Sequence, residues 1–344
     1  MSSFWIPQTE KTTSFPTVNK EMDVSIAIIG GGFTGLHTAY QLLCHRQDCI
    51  ILEKETIASK ASAHTLGMLT SQHGLLYQDL SKRYGYDFAK QYYTLHQQAI
   101  KQIQQIQERH HFSCDFQPCD CIYQATAENE KEALIKEYES YQILQIPSQL
   151  KDDKLTMHYQ ACINPNAYAH ALAHYLHTQQ VPIYQQSPVE TITKENHGYT
   201  LRCNQVDIHA DYVIIATQLP FAFWQPNHVI CMEDEDWYLS FQKQTTPTTT
   251  LIQTNQEIRR SSTQGTLLAS KTPSKDGVKV EAQTTQDHIA IIGKLDKEVE
   301  TFLIATGYSC WGITTSLIAG WIFCDHILHR QSDARRLYSY QRFE

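Results

Sequence analysis

The clearest break in the polar and apolar pattern comes early: after a polar start, Ile26-Ala27-Ile28-Ile29 form an unbroken apolar run. A short run without alternation suits a strand buried on both faces of a parallel sheet. Glycines interrupt it at 30–32, and apolar positions then return at helical spacing over 34–46. A second apolar run, residues 49–52, reads as another buried strand and ends on Glu53-Lys54. Strand, helix and strand make one complete βαβ unit.

Further along, Phe88, Tyr92, Leu95, Ala99, Ile103 and Ile106 recur at helical spacing and predict a long amphipathic helix ending near Glu108. A Glu/Lys-rich helix is expected over 129–143. A third follows Pro165, with Tyr168, Leu172, Tyr175 and Leu176 as its apolar face. Strand-like segments come next at 182–184, 189–193, 199–203, 206–209 and 212–216. Residues 221–286 turn Thr- and Gln-rich with weak alternation, and predict a smaller, mostly β lobe on the substrate side. A strand at 302–305, a Gly-containing turn and an apolar helix over 313–328 close the pattern. The implied architecture is α/β. Residues 1–22 form an extended arm, 23–220 and 287–344 a dinucleotide-binding domain with helical segments at 87–143, and 221–286 a shortened lobe interleaved with it.

Composition narrows the partners. A hydrophobic fraction of 42% against 19% charged residues is that of a folded chain with a sizeable core. The net charge of −8, with Lys and Arg scattered, argues against a nucleic-acid partner. The first twenty residues lack the apolar centre of a signal peptide. The 313–328 helix, about 24 Å long, carries Asp325 and His326 and is too short and polar for a membrane span. A cytoplasmic location is expected, in which the cysteines are free thiols. Cys119-x-Cys121 has no second pair facing it, so no metal site is expected.

The glycines carry the first chemistry. Gly30-x-Gly32-x-x-Gly35 sits between a strand and a helix. The first glycine permits a tight turn, the second lets a pyrophosphate approach the backbone, and the third lets helix and strand pack closely. Phe33 and Thr34 begin the helix, whose N-terminal amides and partial positive charge suit phosphates. Glu53, at the end of the second strand, suits ribose hydroxyls and disfavours a 2′-phosphate. The turn alone leaves FAD and NAD both open.

Four further segments decide between them. They are residues 61–74 (ASAHTLGMLTSQHG), 112–123 (FSCDFQPCDCIY), 211–220 (DYVIIATQLP) and 305–314 (ATGYSCWGIT). Through these the chain resembles the FAD-dependent D-amino-acid-oxidase/glycine-oxidase superfamily over nearly its full length, above all the branch often fused to a C-terminal Rieske iron–sulfur domain. The resemblance implies an FAD-binding Rossmann-type domain, with Lys54 beside Glu53 and Ala61-Ser62 in the flavin loop. It also implies adenine contact through the Val189 backbone, and closure of Ala216 and Thr217 over the nucleotide. Gly307, Gly312, Ile313 and Thr314 would aim a helix N-terminus at the flavin pyrimidine, where negative charge collects on reduction.

The implied reaction is oxidation of an amine or amino acid by hydride transfer to flavin N5, with electrons passing to oxygen or a separate acceptor. Several positions depart from the superfamily pattern. Lys60, Ala63 and His64 stand where glycines and an arginine are usual, Met68 where a lysine is, and Ala290 where a proline is. Of the Rieske ligand pairs only Cys324-Asp325-His326 finds a match, so a Rieske domain is expected to be absent. These departures motivate a second reading, a degenerate FAD-binding protein or scaffold without turnover. A third, an NAD-dependent dehydrogenase, is disfavoured by the C-terminal turn.

His73 is the leading candidate for a side chain near the ring, as hydrogen-bond partner or base, with a structural role as its alternative. Arg260 or Arg259 suits a substrate carboxylate, against a solvated surface pair. Cys310 reads as a flavin anchor or a plain buried thiol, and Tyr308 and Trp311 as pocket wall or core.

Overall fold

Ile26, Ala27, Ile28 and Ile29 form the buried half of strand β1 (Met22–Ile29) in the computed structural model. The structure describes Trp5 and residues 13–217, 232–274, 276–294 and 296–343. Most of residues 1–12 of the expected arm, 218–220 of the 211–220 segment, and 221–231 of the expected lobe lie outside the described residues. The described end of the arm is docked: Phe15 and Val18 are buried, the Val18 amide donates to Ser187 Oγ at 3.0 Å, and Gln185 bonds Pro16.

The chain divides into two compact units. One comprises Trp5–Ala63, Asn166–Glu233 and Gln283–Glu344; the other, His64–Pro165 and Asp234–Ala282. In the first, β1 lies between two parallel neighbours, β2 (Ile50–Leu52) and β10 (Val206–Ile215), with Ile28 opposite both Ile51 and Ile214. Beyond β2 lies β7 (Ile183–Tyr184), and beyond β10 lies β17 (Phe302–Thr306), both parallel, with antiparallel β16 (Ile291–Lys294) at the edge. A hairpin of β8 (Val189–Lys194) and β9 (Tyr199–Cys203) extends antiparallel from β10.

The separate strands expected at 206–209 and 212–216 are one. β10 alternates in burial where it pairs with β9, then is continuously buried over 213–215, where β1 and β17 flank it. Two environments along a single strand produced the break in pattern.

Helix α1 (Phe33–Cys44) returns the chain from β1 to β2, and α6 (Gly312–Ile327) packs along it. The packing is close enough that a Cβ on Gly320 would come 3.0 Å from the His37 carbonyl oxygen. His37 joins Ser316 of α6 (2.9 Å) and Tyr168 of α5 (Pro165–Thr178; 3.1 Å). Burial lowers its pKa to about 3, so it stays neutral in the core.

The second unit is built on a nine-stranded sheet among the described residues. It runs β15 (Val278–Thr285), β11 (Met232–Gln242), β14 (Gly265–Ser270), β13 (Glu257–Ser262), β12 (Thr250–Gln253), β4 (Gln117–Gln124), β6 (Lys154–Cys162) and β3 (Met68–Leu69), with β5 (Ser148–Lys151) on β6. Helices α2 (Tyr77–Tyr84), α3 (Tyr86–Arg109) and α4 (Glu128–Ile143) belong to it.

The partition therefore differs from the expected one. Residues 64–165, read from sequence as part of the nucleotide domain, join the lobe. The cause is one parallel pairing, β4 with β12, which sets Ile122 opposite Ile252 and fuses the two segments into one sheet. Helical periodicity identified α3, and Glu/Lys-rich composition α4, but neither carries information about which sheet a helix covers.

Candidate dinucleotide site

β1 ends at Gly30, and the turn there is possible only without a side chain. Gly30 has φ +113°, and a Cβ on it would lie 2.8 Å from the Ala216 carbonyl oxygen. The Ala216 amide donates to the Ile29 carbonyl at 2.8 Å, so Ala216 and Thr217, just past β10, sit beside the turn. Gly35 is the tightest position: its Cβ would lie 2.0 Å from the Gly30 oxygen. Gly32 is the N-cap of α1 and supplies no capping side chain, and the first turn of the helix has no acidic residue. The Phe33 amide instead donates to Ser62 Oγ at 3.2 Å, from the 3-10 turn Ala61–Ala63. A helix start with bare glycine backbone in front and no carboxylate in its first turn suits a pyrophosphate. The cradle fits the phosphates of a dinucleotide.

Glu53, half-buried at the end of β2, accepts the Gly31 amide on Oε2 (2.6 Å) and the Glu55 amide on Oε1 (2.8 Å). It thus faces the glycine turn, as its place after the second strand predicts. Gly31 is a residue that motif reading missed, because the fingerprint leaves its position unassigned. Its Cβ would meet Ile57 Cδ1 at 2.4 Å. Lys54 is exposed, and Lys60 pairs with Glu55 at 2.6 Å on the surface. The Ser187 amide donates to the Glu53 carbonyl at 2.8 Å, leading the chain from this edge into β8. Val189 opens that strand with 8% exposure, its side chain in the core and Cys203 of β9 opposite it.

The C-terminal turn reaches the same place. After β17, Gly307 (φ +73°) passes Thr285, whose Cγ2 would be 2.9 Å from a Cβ there. Tyr308 then accepts a hydrogen bond from the Thr34 hydroxyl at 3.1 Å. The Trp311 amide donates to the Tyr308 carbonyl, and α6 begins at Gly312 with no capping side chain and no acidic residue in its first turn. Ile313 and Thr314 are buried in that turn. Two helix starts, α1 and α6, are therefore tied together within one unit. Sequence reading weighed Tyr308 only as wall or core; a bond spanning most of the chain has no local signal.

The two catalytic candidates lie in the other unit, and both are engaged there. His73 is buried, with Nδ1 2.6 Å from the Tyr92 hydroxyl and Nε2 2.8 Å from the Thr70 carbonyl oxygen. The carbonyl requires an N–H on Nε2, so Nδ1 accepts from Tyr92 and both nitrogens are engaged. Burial lowers its pKa to about 3 despite the Thr70 bond. Its burial and both bonds make it part of the core of this unit. Arg260, on β13, is also buried; its Nη1 donates to the carbonyls of Leu66 (2.9 Å) and Ile163. It clips main chain rather than binding a substrate carboxylate through that nitrogen. Arg259 is the exposed neighbour, 3.4 Å from Glu257.

Cys324 and His326 are engaged separately: Cys324 Sγ lies 3.8 Å from the Gln41 oxygen, and His326 Nε2 donates to the Glu300 carbonyl at 2.7 Å. No described helix is long and apolar enough to cross a membrane.

This cradle belongs to a recognised class. The family model for DAO, FAD dependent oxidoreductase, matches residues 25–228, and the chain is a member of that family. It is 23% identical to the Rieske 2Fe-2S iron-sulfur protein YhfW of Bacillus subtilis (strain 168), over 99% of this chain and 75% of that protein. The solved L-amino acid deaminase from Proteus vulgaris, with its specific insertion deleted, superposes with a TM-score of 0.77 at 15% identity, covering 97% of each chain. Glycine oxidase from Geobacillus kaustophilus gives 0.74 at 18%, covering 90% of this chain and 96% of that one. The fold is the FAD-binding Rossmann type with an interleaved β lobe, and the chain is an FAD-dependent oxidoreductase.

Proposed function

We propose that the chain oxidises an amine or amino acid at the carbon beside nitrogen, its electrons leaving to oxygen or to a separate acceptor. Bound FAD supplies the hydride acceptor, flavin N5. The observation that carries the reading is the pair of uncapped helix starts joined by Thr34 and Tyr308. Gly30, Gly32, Phe33, Thr34 and Gly35 would hold the pyrophosphate, with Glu53 and Lys54 at the ribose. The Val189 backbone, Ala216 and Thr217 would take the adenine side, and Ala61-Ser62 the flavin loop. The turn through Gly307, with Gly312, Ile313 and Thr314, lends amides and partial positive charge where a reduced flavin is negative. The choice of amine or amino acid rests on the relatives: a deaminase and an oxidase of amino acids, by their names, share the fold.

A second reading is FAD binding without turnover. It is favoured by the two side chains best suited to substrate chemistry, since His73 and Arg260 are engaged with Thr70, Tyr92 and main-chain carbonyls. Anaerobic mixing of the flavoprotein with a broad panel of amines and amino acids separates the readings. Bleaching of the visible flavin band by at least one compound supports oxidation. A flavin that dithionite bleaches and no amine does would support the second reading.

A further inference from the structure

Of the ten cysteines in the chain, two meet across a strand pair. β4 and β6 run antiparallel with Gln117 opposite Cys162 and Cys119 opposite Gln160. Cys119 and Cys162 therefore project from the same face, diagonally across the pair and two rungs apart. The two thiols lie close enough to shift each other's ionisation. Beside the pair lies the buried guanidinium of Arg260. Its Nη1 is fixed by the carbonyls of Leu66 and of Ile163, the residue after Cys162. Cys162 is 0% exposed and Cys119 is partly open to solvent.

We propose that Cys119 and Cys162 are a redox-active dithiol, closed to a disulfide by hydrogen peroxide and reopened by a thiol reductant.

The arrangement favours a single negative charge on the pair. The Cys119 thiol and the Arg260 cation, against the cost of burial, pull the Cys162 thiol below its ordinary pKa; the Cys162 sulfur, with burial, pushes Cys119 up. Once one proton is lost, the other can be carried by either sulfur. Its transfer to Cys162 moves the charge to Cys119, the sulfur with solvent access. The Cys119 thiolate attacks one oxygen of hydrogen peroxide: an S–O bond forms, the O–O bond breaks, and hydroxide leaves as water with the proton of Cys162. The Cys162 thiolate then attacks the Cys119 sulfenic acid. The S–S bond forms, the S–O bond breaks, and the second hydroxide takes a solvent proton. Two thiols lose two electrons and the peroxide becomes two waters. Two equivalents of a small thiol reverse the step.

Neighbouring thiols lack this arrangement. Cys121 is buried, accepts from Gln253 Nε2 at 2.9 Å, and is pushed up to about 12 by burial. Cys49 and Cys114 are likewise raised to about 12. Reactivity follows thiolate character and access, so the pair is expected to react before these three.

The test uses the purified full chain with one equivalent of hydrogen peroxide, alkylation of the remaining thiols, and peptide mass mapping without reductant. The expected result is a peptide pair linked through Cys119 and Cys162, with both lost to alkylation before Cys49, Cys114 and Cys121 and restored by dithiothreitol. Oxidation of other cysteines while these two stay alkylatable would overturn it, as would sulfinic acid at Cys119 without a link. In Cys162→Ser, Cys119 should stop as a sulfenic acid that dimedone traps; no adduct there would overturn the assignment of Cys119 as the attacking sulfur. The unsubstituted chain decides the matter alone should that variant fail to fold.

Discussion

The Thr34 hydroxyl donates to the Tyr308 hydroxyl across 3.1 Å, joining residues 274 apart in sequence. Thr34 lies in the first turn of α1, and Tyr308 in the turn that leads into α6. Burial pushes the Tyr308 pKa up, so the phenol stays neutral and the bond is one between two hydroxyls. It ties the start of α1 to the turn before α6, the two places proposed for the pyrophosphate and the pyrimidine. Replacing Tyr308 by Phe keeps the ring and removes the bond, which is worth about 1 kcal/mol. Tyr308→Phe is expected to fold and to bind FAD roughly fivefold more weakly, a factor that corresponds to about 1 kcal/mol. Titration of apoprotein with FAD measures it. Unchanged affinity would mean that each helix start is held without the other.

Gly35→Ala sets two effects against each other. Alanine gains about 1 kcal/mol over glycine inside a helix. The added Cβ would stand 2.0 Å from the Gly30 carbonyl oxygen, so α1 must move off the turn or the turn must change shape. The steric term dominates, and the variant is expected to purify without flavin. Gly312→Ala is the control, since its nearest neighbour would be Tyr308 Cδ2 at 3.6 Å, ordinary contact. A yellow Gly35→Ala protein with normal flavin content would show that the cradle tolerates that displacement.

The contrast between these glycines and the lobe explains what could be read in advance. Strand, turn, helix and terminal acid are consecutive, so Gly30, Gly32, Gly35 and Glu53 declare themselves by spacing, and the structure puts Glu53 against the turn. Long regular periodicity was equally legible: Tyr92, Ala99, Ile103 and Ile106 are buried along α3. β4 and β6 were not, because QPCDCIYQ and KLTMHYQAC mix polar and apolar residues without clean alternation. Their identity depends on pairing with each other and with β12. The partners of His73 and Arg260 were hidden for a related reason. The groups that engage them, the Tyr92 hydroxyl and the carbonyls of Leu66 and Ile163, come from distant sequence. A polar residue type announces chemistry; its partners decide whether the chemistry is spent on the fold.

Glu137 shows such spending with a pH signature. From α4 its two carboxylate oxygens accept the amides of Tyr77 and Gln78, each at 2.8 Å, and so cap the start of α2. Burial raises its pKa to about 7, outweighing those amide bonds, which favour the charged form. Between about 4.5 and 7 the folded chain then holds a proton that the unfolded chain has lost. This contribution to stability therefore falls as pH rises through that window and levels off above it, by up to ~3 kcal/mol. Glu137→Gln removes the titration. Urea midpoints at pH 5 and pH 8 should show the wild type losing stability relative to the variant at the higher pH. A difference independent of pH would mean that the amide bonds, not burial, set the ionisation of Glu137.

Asp287 and Arg342 fasten the C-terminal segment by the opposite balance. Asp287 is 1% exposed. Its oxygens receive Arg342 Nε at 2.7 Å and Nη2 at 3.1 Å, the Thr285 hydroxyl at 2.8 Å and the Ile289 amide at 3.2 Å. Burial pushes its pKa up, but the Arg342 guanidinium and these donors outweigh it and hold the carboxyl below its ordinary range. Stability from this group is thus present above the unfolded pKa and lost as pH falls through the folded one. In Arg342→Met the carboxylate keeps its burial and loses its cation, a change that costs about 3–5 kcal/mol for a buried pair. The deficit should be largest near neutral pH and shrink toward pH 4, where Asp287 can take up a proton. Urea unfolding of wild type and variant across that range measures both features. A deficit below ~1 kcal/mol at pH 7 would place the anchoring of this segment in its apolar contacts, Leu337 and Tyr338 of α7 (Asp333–Tyr338), which are buried beside it.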